Sequence, residues 1–196
     1  MCNLYTQTRS IDEIASLFRD LEMPLLFPEG APNLAPRDIC ITDPAPIVRA
    51  SRDTPGSFEL VIRRWSWPGP SGKPVYNFRS DGREFSSGRC LILADGFYEF
   101  TAPADPKQKR KDRWLFTDLT GGALGIAGLL RDAPGLGEAF TMLTTEPGPD
   151  VAPYHNRQVA MIASSSWSPW LDHSGGTHDF IGPLPAGTLS VSPAKR

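Results

Sequence analysis

The second residue of the chain, Cys2, has a side chain and a position that suit covalent chemistry with aldehydes. Aminopeptidases remove Met1 when the next residue is small, so we expect Cys2 to be the mature N-terminus. An α-amine has a pKa of about 8, so a useful fraction is neutral and nucleophilic at cellular pH. This amine attacks an aldehyde to form an imine, and the thiol of the same residue then closes a five-membered thiazolidine ring. Taken alone, a cysteine at position 2 is also compatible with an incidental residue.

A carboxylate with aromatic neighbours is the second candidate. Residues 94–100 read Ala-Asp-Gly-Phe-Tyr-Glu-Phe, and Glu99 stands between Tyr98 and Phe100. Partial desolvation there would raise the pKa of the Glu99 carboxyl and suit it to general acid–base catalysis. The pattern predicts a hairpin whose strands are joined by a tight Asp-Gly turn. The alternative is a solvent-facing glutamate on an alternating strand.

A histidine and an asparagine complete the candidate set. His155 is predicted to lie in a loop before a strand at 158–163, and a loop histidine can shuttle protons because its unperturbed pKa is about 6.5. Asn77 offers a donor and an acceptor that can orient a nucleophile or a substrate oxygen. Two residues later, Arg79 could hold a phosphate through two hydrogen bonds. The alternatives are a histidine bonded to loop backbone and the ordinary polar edge of a strand.

The elements that must position these residues are mostly strands. Ser10 and Glu13 form a capping box before an apolar stripe of helical spacing, which predicts a helix that ends before Pro24. Another short helix is predicted at 166–171. Short β-rich runs are predicted at 39–41, 47–49, 58–64, 90–94, 97–100, 114–117, 123–130, 140–144 and 159–163. The prediction is one α+β domain over 1–196, rich in curled, barrel-like antiparallel strands with a few flanking helices.

Composition limits the classes of function. The 196 residues include 40% hydrophobic residues, 18 Gly and 20 Pro, which indicates a globular protein with many turns. No apolar run has the length of a membrane span and no signal-peptide pattern is present, so we expect a cytoplasmic protein. The three cysteines are far apart and lack the spacing of metal ligands, so we expect reduced thiols and no metal.

Charge points to a local rather than a global interaction with nucleic acid. The formal net charge of −2 gives no overall attraction to a polyanion. The strongest basic run is 107–113, Lys-Gln-Lys-Arg-Lys-Asp-Arg, at a predicted hairpin tip. Such a run is most often a solvated loop. If it faces the binding groove, it adds salt-sensitive contacts to phosphates.

Together these segments resemble the SOS-response-associated peptidase (SRAP) family, whose members shield abasic sites in DNA. The resemblance covers Cys2 to about Asp172. It is carried by the N-terminal Met-Cys, Asn-Leu-Ala-Pro at 33–36, Asn-Phe-Arg-Ser at 77–80, Ala-Asp-Gly-Phe-Tyr-Glu-Phe at 94–100 and Ala-Pro-Tyr-His-Asn-Arg at 152–157.

The resemblance implies a role for each matching residue. Cys2 is the covalent nucleophile, Asn77 positions it together with the sugar, Glu99 is the acid–base group, and His155 delivers a proton to the opened sugar. The implied contacts to the DNA backbone are Asn33, Arg79 and Arg83. The implied partner is single-stranded DNA with abasic sites, bound by a monomer that needs no cofactor.

This chain departs from the family pattern in two places. Asn3 and Leu4 follow the cysteine, where the family usually has Gly and Arg, so one phosphate contact is missing. The segment after Trp67-Pro68 is short and lacks an aromatic wedge to stack on DNA bases.

Two other functions stay open: a cysteine peptidase in which Cys2 acts with His155 and Asn77, and a non-catalytic nucleic-acid-binding barrel.

Overall fold

The N-terminal helix forms where its capping residues predict it. In the computed structural model, which describes residues 2–103, 105 and 107–194, helix α1 covers Ile11–Asp20. The Ser10 hydroxyl accepts a hydrogen bond from the Glu13 amide at 3.3 Å, and the Glu13 carboxylate accepts one from the Ser10 amide at 2.7 Å. Its apolar face is buried through Ile14 and Phe18. The predicted capping box is therefore confirmed.

The remaining elements are mainly strands, as the sequence predicts. The C-terminal helices are α2 (Trp167–Leu171), preceded by a 3-10 turn at Ser164–Ser166, and α3 (Thr177–Phe180). The strands are β1 (Leu4–Gln7), β2 (Leu25–Leu26), β3 (Arg37–Cys40), β4 (Pro44–Ala50), β5 (Phe58–Trp65), β6 (Trp67–Pro68), β7 (Pro74–Val75), β8 (Asn77–Arg79), β9 (Arg89–Ala94), β10 (Gly96–Thr101), β11 (Asp112–Asp118), β12 (Leu124–Ala133), β13 (Gly137–Thr145), β14 (Gln158–Val159), β15 (Met161–Ile162) and β16 (Leu189–Pro193).

Five of these strands close into a barrel. The order β13-β12-β9-β4-β5 is antiparallel throughout, and β5 then pairs parallel with β13 to complete the ring. The closing register places Arg64 opposite Ala139 and Trp65 opposite Phe140. Strand β8 extends the same parallel pairing along β13. The predicted β-rich fold with curled strands and few helices is confirmed.

A second, open sheet packs against the barrel. Its strand order is β16-β11-β10-β1-β3, and every pair is antiparallel. The N-terminal strand β1 is therefore an interior strand, between β10 and the edge strand β3. Pairing on both sides holds this first strand in the sheet.

The predicted hairpin at Asp95-Gly96 is wrong. Strand β9 belongs to the barrel, whereas β10 belongs to the open sheet and pairs with β1 and β11. At this dipeptide the chain therefore crosses from one sheet to the other. The Asp95 carboxylate stabilises the crossing, because it forms an ion pair with Arg9 and accepts a hydrogen bond from the Thr8 amide. A Cβ on Gly96 would lie 2.7 Å from the Phe116 carbonyl oxygen, so this close crossing requires glycine.

The single strand predicted at 159–163 is also wrong. This segment forms two strands instead of one: β14 pairs with β13, and β15 pairs with β12. Ala160 forms the switch, because its amide donates to the Leu143 carbonyl at 2.8 Å and its carbonyl accepts from the Ala127 amide at 2.7 Å. A change of partner after two residues divides one apolar run into two short strands.

Alternation along the barrel strands separates two cores. In β9, Cys90, Ile92 and Ala94 belong to one apolar cluster, whereas Leu91 and Leu93 belong to another. The second cluster contains the buried faces of α1 and α2 and therefore covers the outside of the barrel. The first fills the barrel interior and continues to the open sheet through Cys2, Tyr5, Ile39, Phe97 and Phe116. Among the residues described, no helix has the length and apolar character needed to cross a membrane.

Candidate active site

Cys2 lies just before β1, at the junction between the open sheet and the barrel interior. It is 1% exposed, and its thiol donates a hydrogen bond to the Leu4 carbonyl at 3.2 Å. Burial, and after it the nearby Glu99 carboxylate, raise the pKa of the Cys2 thiol to about 12. The thiol is therefore protonated at neutral pH, and a reaction through sulfur needs a neighbouring base. The predicted loss of Met1 concerns a residue outside the described part of the chain.

Asn77 holds the backbone of Cys2. Its side-chain amide donates a hydrogen bond of 2.6 Å to the Cys2 carbonyl. Strand pairing fixes Asn77 opposite Met142, and the indole of Trp65 donates to the Tyr76 carbonyl at 2.9 Å, which pins the preceding residue. The Asn77 Oδ1 atom is buried and accepts no hydrogen bond from the residues described.

Glu99 is an interior carboxylate. It lies on β10 opposite Trp114 and is 1% exposed, which excludes the solvent-facing alternative. Burial raises the pKa of the Glu99 carboxyl to about 7. Its charge acts on the Cys2 thiol, so the two groups are electrostatic neighbours. Near neutral pH this carboxyl can therefore both take up and release a proton beside Cys2.

His155 lies in the predicted loop, between β13 and β14. His155 Nδ1 lies 3.0 Å from both the amide and the carbonyl of Arg157: it accepts from the amide in the tautomer protonated on Nε2, and it donates to the carbonyl when Nδ1 carries the proton. Burial lowers the pKa of His155 below its ordinary value, which favours the neutral ring at pH 7. The adjacent ring of Tyr154 packs against Trp114 at 4.8 Å between centroids, and Trp114 faces Glu99 across the strands. The loop is thus fixed beside the strand pair that carries Glu99.

Arg157 is a positioning residue that the sequence reasoning missed. Its buried guanidinium forms an ion pair with Asp81 at 2.6 Å and donates to the Thr144 carbonyl at 2.8 Å. These bonds join the loop of His155 to the turn that follows β8. The only sequence signal was a single arginine two residues after His155, which does not reveal a partner in a distant turn.

The three predicted DNA-backbone residues occupy different places. Arg79 is exposed on β8 and, two residues from Asn77, points to the same face of that strand, about 7 Å further along. Arg83 is exposed but stacks over the ring of Phe78, at 4.9 Å from its centroid. Asn33 is exposed in the loop before β3. Within the described chain, the bonds given above join Cys2 and Asn77, whereas none joins either of them to Asn33 or Arg83.

Two further observations concern the departures noted above. The segment that would carry an aromatic wedge forms the β6–β7 ribbon, in which Trp67 is 4% exposed. The large hydrophobic side chains exposed among the described residues are Leu26, Leu119 and Leu136, and none of these is aromatic. In the same part of the chain, no group of three or more His, Cys, Asp or Glu side chains is placed to hold a metal ion.

Comparison with known proteins identifies the family. A family model described as SOS response associated peptidase (SRAP) matches residues 1–195. The chain belongs to the SRAP family. This confirms the resemblance drawn from the sequence motifs and supports a role associated with the SOS response. No curated protein matches the sequence.

Solved structures share this SRAP architecture. A protein from Bordetella bronchiseptica is 22% identical with a TM-score of 0.74, and the match covers 100% of both chains. A protein from Bacteroides thetaiotaomicron is 14% identical with a TM-score of 0.74, over 99% of this chain and 92% of that one. A phage-related protein from Bordetella bronchiseptica is 18% identical with a TM-score of 0.72, over 100% and 95%. At these identities the likeness shows the fold.

Proposed function

We propose that this SRAP protein captures abasic sites in single-stranded DNA by forming a covalent thiazolidine at Cys2. The observation that carries the proposal is the arrangement around that residue. Asn77 holds the Cys2 carbonyl at 2.6 Å, and the Glu99 carboxyl, with its pKa at about 7, acts on the buried thiol. An abasic sugar opens to an aldehyde, which is the electrophile that a 1,2-aminothiol requires.

The chemistry balances without a cofactor. After removal of Met1, the Cys2 amine adds to the aldehyde carbon, and loss of one water molecule gives an imine. The sulfur then bonds to the imine carbon, and the thiol proton ends on the ring nitrogen. The net products of aldehyde and aminothiol are the thiazolidine and water.

Glu99 is suited to both steps of this reaction, formation of the imine and addition of the thiol. Departure of water needs an acid, and addition of a thiol whose pKa is about 12 needs a base. A carboxyl with a pKa of about 7 is populated in both forms at neutral pH. His155 makes the other proton transfer, to the sugar oxygen released on ring opening, as the tautomer that carries its proton on Nε2.

The peptidase alternative receives less support from the same geometry. In a papain-like arrangement an asparagine orients the histidine, and the histidine lowers the pKa of the cysteine thiol. Here the Asn77 amide donates to Cys2, His155 Nδ1 is bonded to the Arg157 backbone, and the pKa of the thiol is raised. Removal of Met1 accordingly stands as the one peptide-bond event that the proposal requires.

Intact mass spectrometry tests the proposal directly. The mature protein is incubated with single-stranded DNA in which one uracil has been converted to an abasic site. We expect loss of the Met1 mass and a heat-stable adduct equal to protein plus DNA minus water. Cys2→Ala should abolish the heat-stable adduct, whereas Cys40→Ala, which removes an exposed thiol, should leave it intact.

Two results would contradict the proposal. Retained Met1 together with DNA binding favours the non-catalytic barrel. Turnover of peptides by the wild type, without an adduct on abasic DNA, favours the peptidase.

A further inference from the structure

A strongly basic segment lies outside the residues assigned to the reaction. Residues 107–113, here called the basic arm, contain five cationic side chains and one aspartate. The arm has a net charge of +4 in a chain whose formal net charge is −2, so the remaining residues together carry −6. Positive charge is thus concentrated in one short segment of an otherwise acidic protein.

The basic arm lines most of a cleft. It lies at the connection of the β10–β11 hairpin, whose pairing ends at Thr101 and Asp112, so the predicted hairpin tip is confirmed. The cleft of about 560 Å³ is lined by residues 108–113 of the arm and by Ala194, the residue after β16. Its four cationic residues outnumber the one carboxylate, Asp112, and match the repeated negative charge of a phosphate backbone.

The base of the hairpin borders the reactive site. Trp114 faces Glu99 across the strand pair and packs against Tyr154, the neighbour of His155. One residue earlier, the Arg113 guanidinium stacks over the Tyr98 ring at 4.5 Å. The cleft therefore begins within a few residues of the strand that carries Glu99. The Lys111 charge also contributes to lowering the pKa of His155, so the field of the arm reaches the site.

We propose that this cleft binds the phosphates of the DNA strand on one side of the abasic nucleotide held at Cys2, a role that rests on the proposed function. The strand leaves the site past Trp114 and follows the arm. Phosphate contacts fix the register of a bound strand without reading its sequence. The arm thereby provides a cationic contact in a chain that has Leu4 where its family usually has an arginine.

A paired substitution measures this contribution. Lys109→Ala with Arg110→Ala removes two exposed charges from the cleft, and Arg19→Ala with Arg52→Ala removes two exposed charges elsewhere. Binding of an undamaged single-stranded oligonucleotide is measured over a range of salt concentrations. Each phosphate contact contributes about 0.7 to the slope of log K against log salt, so we expect the arm variant to lower the slope by about 1.4 and the control variant to leave it unchanged.

One-sided oligonucleotides locate the contact. Abasic DNA is given flanking nucleotides on its 5′ side only or its 3′ side only, and the affinity of each is measured for both variants. We expect the arm variant to lose about tenfold on one of the two and to match the wild type on the other. Equal losses on both sides, or a slope equal to that of the control variant, would overturn the assignment. Arm-dependent binding without any adduct would instead overturn the proposed function and leave the arm as a DNA site.

Discussion

The side-chain amide of Asn77 donates a 2.6 Å hydrogen bond to the backbone carbonyl of Cys2, joining a strand of the barrel system to the start of the chain. Residues at a chain terminus are usually mobile unless something ties them down. Here the bond fixes the peptide unit that immediately follows the Cys2 amine and thiol. We therefore expect Asn77 to control the direction from which an aldehyde approaches both groups in the proposed reaction.

Loss of this bond should slow the crosslinking reaction. A buried hydrogen bond contributes about 1 kcal/mol, and 1.4 kcal/mol corresponds to tenfold. We expect Asn77→Ala to reduce the single-turnover rate of adduct formation by about fivefold. Asn77→Asp keeps the shape but turns a carboxylate oxygen towards the Cys2 carbonyl, so its loss should be larger. Equal rates for Asn77→Asp and wild type would show that the bond does not position Cys2.

The members of the candidate site could be chosen from the sequence because residue type sets what chemistry each can do. The sequence left both a desolvated and a solvent-facing Glu99 open, since its neighbours on β10 are apolar on both sides and alternation does not say which face is interior. The role of Arg157 depends on Asp81, 76 positions away, and no local pattern encodes that pairing. The face occupied by Arg79 follows from its spacing to Asn77, whereas the stacking of Arg83 on Phe78 depends on a turn.

The sequence predicts where helices and strands form, but it does not predict which strands pair with one another. The capping box of α1 and the apolar runs of the barrel strands are local signals. Strand β1 is short, and half of its residues are polar, so its interior place in the open sheet depends on pairing with β3 and β10. The parallel β5–β13 pair that closes the barrel joins residues about 75 positions apart, and the spacing of apolar residues along the chain does not predict such a pairing. Asp95-Gly96 is locally typical of a hairpin turn. It connects two sheets instead, because β10 pairs with β1 and β11 and not with β9.

Glu99→Gln should separate catalysis from stability. The pKa of this carboxyl is raised from 4.5 to about 7 in the folded state, so the folded protein favours the neutral form. Its contribution to stability is fully present below pH 4.5 and is lost as the pH rises to about 7. The neutral glutamine avoids this loss. We expect the variant to be more stable than wild type at pH 8, by at most about 3 kcal/mol, and nearly equal at pH 4.

The same variant should slow crosslinking by at least about tenfold, since a positioned acid or base contributes about 10²–10⁴-fold and water partly replaces it. The wild-type rate should show an inflection near pH 7 that the variant lacks, while titration of the Cys2 amine remains in both. Rates are measured in single turnover with saturating abasic DNA. A variant that keeps both the wild-type rate and its inflection would remove Glu99 from the acid–base step.

His155→Ala should reduce the rate of crosslinking more than DNA affinity. The proposed work of the ring is to deliver a proton from Nε2 to the opened sugar, so we expect at least a tenfold slower reaction with nearly unchanged binding. The ring is also hydrogen-bonded through Nδ1 to the Arg157 backbone, and loss of this bond should lower the stability by about 1 kcal/mol. A melting curve measures that structural part. A stable variant with the wild-type rate would leave His155 as a brace for its loop.

Arg79→Ala and Arg83→Ala form a matched pair for the DNA backbone. Both residues are exposed arginines, but Arg79 shares a strand face with Asn77, whereas Arg83 stacks on Phe78. A strand whose abasic nucleotide reaches Asn77 should therefore place a phosphate near Arg79. We expect Arg79→Ala to weaken binding of abasic single-stranded DNA and to lower the salt slope by about 0.7, the share of one phosphate. Arg83→Ala should change the slope less, since its guanidinium is held over a ring. Equal slopes for Arg79→Ala and wild type would remove Arg79 from the DNA contacts, and a larger effect of Arg83→Ala would place the strand on the opposite face of β8.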